Sequence, residues 1–370
     1  MYISRVKMKN FRNISPVSLS FQPSLVVLQG GNAQGKTNFL EALYLVSRGI
    51  SPRSQKDEEL VRWGSEAASV AIRVESGGTW FNREVRVQLG KKKVWLNNGH
   101  PITKKRWQEE VWLVGYFPRD IGIIEGSPSE RRHFVDEALS YVKPSHRAYV
   151  KRYERALAQR NILLREHARG DLISVYTEEL IKTGTCIIEN RIRYGELLTP
   201  FLRDFYRCLG GENVRFEVQY IGGGYDSKGD LRANLERAFL RSENEERSRE
   251  ITLVGPHRDD ILFLLEGKEF RIYGSQGEKK SLALSLKMAE MAVIRKVKNS
   301  KVIVLLDDLF SELDPKRRQL LFKEILGKGQ VFITVTDDIP QMPEGWEEYL
   351  VLGVQGGRIS TAGEREKKNG

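Results

Sequence analysis

A glycine-rich segment that ends in lysine and threonine has the clearest chemical potential in this sequence. The pattern GxxxxGK[ST] is matched by Gly30-Gly31-Asn32-Ala33-Gln34-Gly35-Lys36-Thr37, between the apolar run 25–28 and a helical pattern. In such a loop the backbone N–H groups surround phosphates, the lysine reaches the β- and γ-phosphates, and the hydroxyl binds magnesium. The segment predicts a nucleoside triphosphate site with Mg²⁺, with Lys36 in a catalytic role and Thr37 as a metal ligand.

Two adjacent aspartates follow a run of five aliphatic residues later in the chain. The run is Val302-Ile303-Val304-Leu305-Leu306, and Asp307 and Asp308 come directly after it. A carboxylate at the tip of a buried strand is costly unless a cation compensates it. We therefore expect Asp307 to contact the magnesium ion through water, and Asp308 to orient or deprotonate the attacking water. A surface-facing strand end is the alternative interpretation.

A third phosphate-binding element is indicated by Ser275-Gln276-Gly277, directly before a helical stretch. These residues resemble the signature motif of ABC-type ATPases, in which a serine and the amides of a helix start bind the γ-phosphate held by the opposite protomer. The same pattern would also suit a simple helix cap. Ser311-Glu312-Leu313-Asp314 follows the acidic pair as the D-loop does in that superfamily, although Asp314-Pro315 would also begin a helix.

The composition is that of a globular protein with a strong positive charge. The chain has 370 residues, 40% of them hydrophobic and 29% charged, and a formal net charge of +11. This length suits two lobes, each with its own core. The charge favours a polyanionic partner, either nucleic acid or an acidic membrane surface, although a basic but inert surface is the alternative. Since the sequence has neither a membrane-length apolar run nor a signal peptide, we expect a cytoplasmic protein without a membrane partner.

The order of the sequence patterns predicts an α/β fold with an inserted lobe. Strand-like runs between residues 70 and 96, broken by glycines and followed by Asn97-Asn98-Gly99, predict an antiparallel meander. Long helices rich in Arg, Leu and Glu between residues 129 and 209 indicate the second lobe. Helix and strand alternate in the last third, which is typical of a mostly parallel sheet. We place the parts of the ATPase lobe at residues 1–120 and 248–370, and the second lobe at 121–247.

In their order along the chain these motifs resemble the RecF family of SMC-like ABC-type ATPases. The resemblance covers nearly the whole chain, and Gly255-Pro256-His257-Arg258-Asp259-Asp260 is specific because it is not a general ABC feature. The other segments that carry it are Lys9-Asn10-Phe11-Arg12-Asn13, the P-loop continued through Asn38 to Ala42, Phe117-Pro118, Gly126-Ser127-Pro128, Arg131-Arg132, Ser275-Gln276-Gly277, Asp307-Asp308 and Ser311–Asp314.

The resemblance implies an ABC-type P-loop ATPase head, with a mixed sheet and a β meander, and an inserted, mainly helical second lobe. It implies slow, DNA-stimulated ATP hydrolysis, an ATP-dependent homodimer, and binding to double-stranded DNA and single/double-strand junctions. It also implies cooperation with RecR, and through it RecO, in loading RecA at gaps during recombinational repair and replication-fork restart. The residues expected to bind ATP are Arg12, Gly30, Asn32, Gly35, Lys36, Thr37, Asn38, Ser275, Gln276 and Gly277, with Thr37 and Asp307 at the metal.

The sequence departs from the wider ABC pattern at three places. The catalytic acid is Asp308 rather than glutamate, one methylene shorter, which suits a slow switch better than a fast pump. No glutamine is an obvious Q-loop ligand, and Thr336-Asp337 lacks the histidine that many transporters have after this strand.

Three other functions are alternatives to this one. In transporter ATPase subunits the P-loop and signature lie much closer together, whereas here a β meander and a helical lobe separate Lys36 from Ser275. Another SMC-like DNA ATPase, for example one with a nuclease module, would need carboxylates gathered at metal spacing. The sequence has none outside the ATPase motifs, although Asp259-Asp260 is an adjacent pair. A scaffold that binds ATP without turnover is the third alternative.

Overall fold

The computed structural model describes residues 1–22, 24–54, 56–107, 110–209, 215–309, 313–325, 327–336 and 349–364. The chain divides into two compact units, which we call the P-loop unit and the helical unit. The P-loop unit comprises Met1–Asp120, Cys208–Gly210 and Leu284–Gly370, and the helical unit comprises Ile121–Arg207 and Gly211–Ala283. Over the part of the chain that the structure describes, no helix is long and apolar enough to span a membrane.

The elements of the chain alternate between strands and helices at both ends and are mainly helical between them. The first elements are β1 (Tyr2–Lys9), β2 (Val17–Ser20), β3 (Leu25–Gln29), α1 (Lys36–Arg48), β4 (Ala67–Ser76), β5 (Thr79–Gln88), β6 (Val94–Asn97), β7 (His100–Pro101), α2 (Lys104–Trp107) and β8 (Leu113–Tyr116). The middle elements are α3 (Gly122–Glu125), α4 (Pro128–Val142), α5 (Pro144–Arg165), α6 (Gly170–Cys208), β9 (Phe216–Ile221), α7 (Leu231–Arg249), β10 (Asp260–Leu265), β11 (Lys268–Glu269) and α8 (Phe270–Tyr273). The last are α9 (Gln276–Lys298), β12 (Ile303–Leu306), α10 (Pro315–Ile325), β13 (Val331–Val335), β14 (Tyr349–Gln355) and β15 (Arg358–Glu364).

The P-loop unit contains two six-stranded sheets. The first is antiparallel, in the order β2-β1-β4-β5-β6-β7, and contains the predicted meander. The second has the order β15-β14-β3-β13-β12-β8. Every pair of neighbouring strands in it is parallel except the pair β14–β15, which is antiparallel. The strands β3, β12 and β13 are continuous apolar runs because they are covered on both faces. The mixed sheet and meander expected of an ABC-type ATPase head are therefore present.

Helix α1 lies in the core between these sheets. Most of its side chains are buried, including the polar Glu41, Ser47 and Arg48, because the helix is covered on nearly every side. Phe39 and Leu43 pack in one cluster with Val70 and Ile72 of the antiparallel sheet and with Leu305 of the parallel sheet. This packing fixes the position of the helix that follows the P-loop.

The helical unit also contains a sheet, which corrects the predicted lobe boundary. We placed residues 248–283 in the ATPase lobe, but they lie in the helical unit, and β10 and β11 within this range form a sheet with β9 of that unit. Strand β10 pairs with β9 along its whole length, from Asp260↔Ile221 to Leu265↔Phe216. Arg131 of α4 also holds Asp260 through two hydrogen bonds of 2.7 and 2.8 Å. These pairings are long-range in sequence, which is why the local pattern did not reveal them.

The family-specific segment Gly255–Asp260 is held by buried polar contacts within the helical unit. Arg191 donates to the Pro256 carbonyl at 2.8 Å, and the Tyr153 hydroxyl lies 2.7 Å from His257 Nδ1. Asp259 is fully buried and accepts hydrogen bonds from the Gly223 amide and from the hydroxyls of Tyr220 and Tyr225.

These contacts bear on the nuclease alternative, because they use both carboxylates of the Asp259-Asp260 pair. Both side chains are engaged by protein donors. Among the described residues, no group of three or more His, Cys, Asp or Glu side chains is arranged to hold a metal ion. The pair is therefore explained as an architectural element of the helical unit.

Candidate nucleotide site

The P-loop connects β3 to α1 and has the backbone geometry of a phosphate cradle. Ala33 and Gly35 have φ angles of +60° and +116°, which bend the loop back over the start of α1. A Cβ at Gly35 would lie 2.8 Å from Asn13 Oδ1, so this position requires glycine on both counts. No side chain caps the N-terminus of α1, which leaves its first amides directed toward the loop.

Lys36 lies inside this loop. Its side chain is 7% exposed, and Nζ donates to the carbonyls of Gly30 and Gly31 at 2.6 and 2.8 Å. The side-chain Nε2 of Gln34 donates to the Asn32 carbonyl at 3.3 Å, a contact within the loop itself. The ammonium group is thus held where the loop would enclose a phosphate.

The predicted metal ligands meet at the carboxyl ends of β12 and β13. Thr37 Oγ1 donates to Asp307 Oδ1 at 3.0 Å, and Thr334 Oγ1 donates to the same oxygen at 3.0 Å. The Asp308 amide donates to Thr334 Oγ1 at 2.8 Å. Parallel pairing of β12, β13 and β3 brings these strand ends together, although Thr37 and Asp307 are far apart in sequence.

The electrostatics of this oxygen pair suit a divalent cation. Asp307 is 2% exposed, and burial raises its pKa, while the hydrogen bonds from Thr37 and Thr334 act in the opposite direction. A hydroxyl and a carboxylate are hard oxygen ligands of the kind that Mg²⁺ prefers, and a cation would compensate the buried charge. Asp308 has a φ of +52°, in the left-handed region, so its side chain leaves the strand direction beside this pair.

Arg12 and Asn38 both lie at the first turns of α1. Arg12 binds the fully buried Glu41 through Nε at 3.1 Å and a terminal nitrogen at 2.7 Å. Asn38 donates to Asn13 at 2.9 Å and accepts from Arg53 at 2.9 Å. Arg53 also lies 3.6 Å from Glu41.

Glu41 and Arg53 were not among the residues predicted from sequence. Glu41 lies in a helix whose neighbouring residues are mostly apolar, and Arg53 lies in an irregular loop. Neither residue therefore belongs to a sequence motif that indicates a binding site. The structure nevertheless places two guanidinium groups on one buried carboxylate beside the P-loop.

The turn between β14 and β15, which contains Gly356 and Gly357 and which we call the bracing turn, is hydrogen-bonded to the P-loop. The Gly356 amide donates to Gln34 Oε1 at 2.6 Å, and the Gly357 amide donates to the Gln34 carbonyl at 2.9 Å. The Ser15 amide donates to the Gly357 carbonyl at 2.8 Å. A cavity of about 1310 Å³ lies between this turn and the loop, and Gly30, Gly31, Gln34 and Arg358 are among its lining residues. This brace was not predicted, because it joins opposite ends of the chain.

We expect Gly357→Ala to weaken ATP binding and to destabilise the P-loop unit. Gly357 has a φ of +78°, and a Cβ there would lie 1.9 Å from the Asn13 carbonyl oxygen. The backbone cost of about 1–2 kcal/mol adds to an overpacking cost of about 1–3 kcal/mol. Gly356→Ala is the matched control, because its φ is also positive (+54°) but a Cβ would meet nothing within 4 Å. Thermal melting and ATP titration of both variants test this, and equal effects would show that the brace has no role.

The signature residues lie in the helical unit and form a helix cap. The Ser275 amide and hydroxyl both donate to Glu278 Oε2, at 2.8 and 2.6 Å, in a capping box at the start of α9. Gln276 donates to Glu125 at 2.7 Å. Gly277 has open space where a Cβ would be. Of the predicted D-loop, Ser311 and Glu312 lie outside the described residues, and Asp314 accepts from the Arg317 amide at 3.0 Å as the cap of α10.

The fold and this site define a class of protein. A P-loop between a parallel strand and a buried helix, an acidic pair on a nearby parallel strand, and an antiparallel sheet over the helix are the features of an ABC-type ATPase head. Solved structures of Smc heads share this fold: one, bound to the C-terminal winged-helix domain of ScpA, matches with a TM-score of 0.58 at 15% identity, covering all of this chain and 98% of that one.

The particular family follows from closer matches. Residues 2–344 match the family described as RecF/RecN/SMC N terminal domain. The DNA replication and repair protein RecF of Symbiobacterium thermophilum is 35% identical over 97% of this chain and 98% of its own, and that of Heliobacterium modesticaldum is 34% identical over 98% and 100%. A solved structure of the recombination mediator protein RecF with ATP, in the RecFOR pathway, matches with a TM-score of 0.90 at 30% identity over 98% of both chains. The chain belongs to the RecF family.

Proposed function

We propose that this chain is an ATP-dependent DNA-binding protein of recombinational repair and replication-fork restart. It dimerises with ATP on DNA and helps RecR and RecO load RecA at gaps. The observation that carries the proposal is the 3.0 Å contact between Thr37 Oγ1 and Asp307 Oδ1. It places one oxygen from the P-loop and one from the acidic strand end close enough to bind the same metal ion. The RecF–ATP structure, similar over nearly the whole chain, supports ATP as the nucleotide.

The roles of the residues follow from their positions. The loop amides from Gly30 to Gly35, with the Lys36 ammonium, bind the phosphates, and Asn32 lies within this loop. Thr37 and Asp307 hold Mg²⁺, which neutralises phosphate charge when it is bound. Asp308 orients or deprotonates the attacking water. Arg12, which follows β1 and is positioned by Glu41, and Asn38, in the first turn of α1 and positioned by Asn13, bind the nucleotide.

The ATP-bound dimer is supported by the surroundings of Ser275. Ile272 and Tyr273, directly before the signature, are 60% and 69% exposed. Gly277 lies in the first turn of a helix, where alanine would be more stable by about 1 kcal/mol and would fit sterically. Exposed apolar side chains and an unneeded glycine both suit the close approach of a second chain. Ser275, Gln276 and Gly277 then bind the γ-phosphate held by the partner's P-loop.

Slow, DNA-stimulated hydrolysis and the remaining partners belong to the same proposal. The short catalytic acid Asp308 suits a switch that stays closed for long periods. RecR, and through it RecO and RecA, are the proposed partners, since two solved structures of RecF are placed in the RecFOR pathway. The cytoplasm, where DNA repair proteins of bacteria act, is the proposed location.

DNA binding tests the proposal. We expect affinity for duplex DNA and for single/double-strand junctions to increase with ATP and to be indifferent to sequence. The net charge of +11 predicts that log affinity decreases linearly with log salt, because bound phosphates release counterions. Fluorescence anisotropy at several salt concentrations, with and without ATP, measures both effects. Affinity that responds to neither ATP nor salt would contradict the proposal.

A further inference from the structure

The solvent face of the antiparallel sheet in the P-loop unit is strongly cationic. Strand β1 alternates between buried Val6 and Met8 and exposed Arg5, Lys7 and Lys9. The buried residues join the core that covers α1, so the three cations point to the opposite, open face.

The strand register extends this face across the neighbouring strands. Directly opposite residues of antiparallel strands project to the same side. The β1 cations therefore lie beside small side chains of β2 and β4, and these lie in turn beside β5. The rows are Ser20-Arg5-Arg73-Asn82, Ser18-Lys7-Ala71-Glu84 and Lys9-Ser69-Arg86. We call these residues the cationic face.

The charge of this face is not neutralised within the chain. It carries five cationic side chains and one carboxylate, that of Glu84, which is bound to Arg86 at 2.6 Å on the same strand. Within the described part of the chain, Arg5, Lys7 and Lys9 form no ion pair with a carboxylate. Arg5 and Arg73 are like charges directly opposite each other on β1 and β4, an arrangement that destabilises a sheet, which favours a role outside the fold.

The chemistry of the face distinguishes nucleic acid from protein as its occupant. Protein interfaces have an apolar or aromatic centre, whereas protein–DNA interfaces are more polar and more positive. Within the three rows no apolar side chain larger than that of Ala71 is exposed. Trp80 borders them in the next row and is 56% exposed, and the Arg73 guanidinium lies 4.4 Å from the centroid of its ring, so the aromatic contact is at the rim of the cationic face and not at its centre.

The spacing also suits a phosphate backbone. Alternate residues of an antiparallel strand are about 6.8 Å apart, and one DNA strand carries a phosphate every ~3.4 Å along the helix axis. Because the DNA strand also turns by about 36° around that axis per base pair, its consecutive phosphates are roughly 6–7 Å apart in space, so the β1 cations match the spacing of consecutive phosphates of one strand.

We infer that the cationic face binds the phosphate backbone of duplex DNA. The inference rests on the proposed function, since it locates the DNA contact that the function requires. Phosphate contacts fix position without reading sequence, in agreement with sequence-indifferent binding.

The test is a triple variant, Arg5→Gln, Lys7→Gln and Lys9→Gln, with a charge-matched control. The control changes Arg232, Arg247 and Arg249 to Gln in α7, where each arginine is paired with a glutamate. The slope of log affinity against log salt is negative, and each lost phosphate contact should reduce its magnitude by about 0.9. The β1 triple should therefore reduce the magnitude of the slope by about 2–3, and reduce affinity at least about tenfold at moderate salt. The control should keep the wild-type slope, and ATP binding should be unchanged in both.

Each outcome is decisive. Equal DNA binding by wild type and the β1 triple would contradict the inference that the cationic face binds DNA, but not the proposed function. This is the result expected if the face contacts an acidic protein. Equal losses in both triples would show that net charge alone matters and would also overturn it. Wild type that binds no DNA would refute the proposed function itself. If the β1 triple has a lower melting temperature than wild type, Lys7→Gln alone is the test, and it should reduce the magnitude of the salt slope by about 0.9.

Discussion

Lys36→Ala is expected to lower ATP affinity by about 150- to 5000-fold. The ammonium is buried in the loop and bound to the Gly30 and Gly31 carbonyls, so that a triphosphate in the loop would have it as its main cationic side-chain partner. Removing one partner of a buried charge pair costs about 3–5 kcal/mol, because the other charge remains desolvated. ATP-dependent dimerisation and hydrolysis should be lost with binding. Titration of ATP by calorimetry measures the effect directly.

The fold of Lys36→Ala should survive, because the side chain makes no contribution to the apolar core. Lys323→Ala, at an exposed position of α10 in the same unit, is the control and should bind ATP like the wild type. If Lys36→Ala melted normally and still bound and hydrolysed ATP at the wild-type level, the assignment of the P-loop would be wrong.

Ser275→Arg is expected to bind ATP as a monomer but to lose ATP-dependent dimerisation and nearly all hydrolysis. In the proposed dimer a bulky cation would fill the space meant for the γ-phosphate and its neighbours. Because the P-loop of the same chain is intact, nucleotide binding to the monomer should remain. Light scattering with and without ATP, together with steady-state hydrolysis, separates these two steps.

Ser275→Ala distinguishes this role from capping. Both substitutions remove the hydroxyl that bonds Glu278 at 2.6 Å, a loss worth about 1 kcal/mol at a helix N-terminus. Only arginine adds bulk and charge. Ser275→Ala should therefore retain ATP-dependent dimerisation with reduced turnover. Wild-type dimerisation and hydrolysis by Ser275→Arg would leave Ser275 as a helix cap only, and the dimer model would fail.

The parts of the fold that the sequence predicted are those that local patterns determine. The apolar run before the P-loop, the helix after it, and the aliphatic strand that ends in Asp307 were predicted within a few residues, since strands covered on both faces must be continuously apolar. The meander was predicted from alternation and glycine turns. The helices predicted between residues 129 and 209 are present as α4, α5 and α6, and Pro144 and Gly170 are the first residues of α5 and α6.

The parts that were missed depend on contacts between distant segments. The sheet β11-β10-β9 forms only when β9 and β10 pair, so residues 248–283 were placed in the wrong lobe. The bracing turn at Gly356 and Gly357 meets Gln34 across nearly the whole chain length. Ser275 shows a different limit, because one local pattern serves as a helix cap and is proposed to bind phosphate as well.

The central claim, that each ATPase site is built from two chains, is tested most directly by mixing Ser275→Arg with Lys36→Ala. A mixed dimer contains one doubly damaged site and one site with an intact P-loop from the first chain and an intact signature from the second. Two inactive proteins should therefore recover up to about one half of wild-type hydrolysis, since neither variant dimerises with ATP on its own and each mixed dimer has one intact site of two. No recovery, in a mixture in which mixed dimers are detected with ATP, would contradict a site shared between chains.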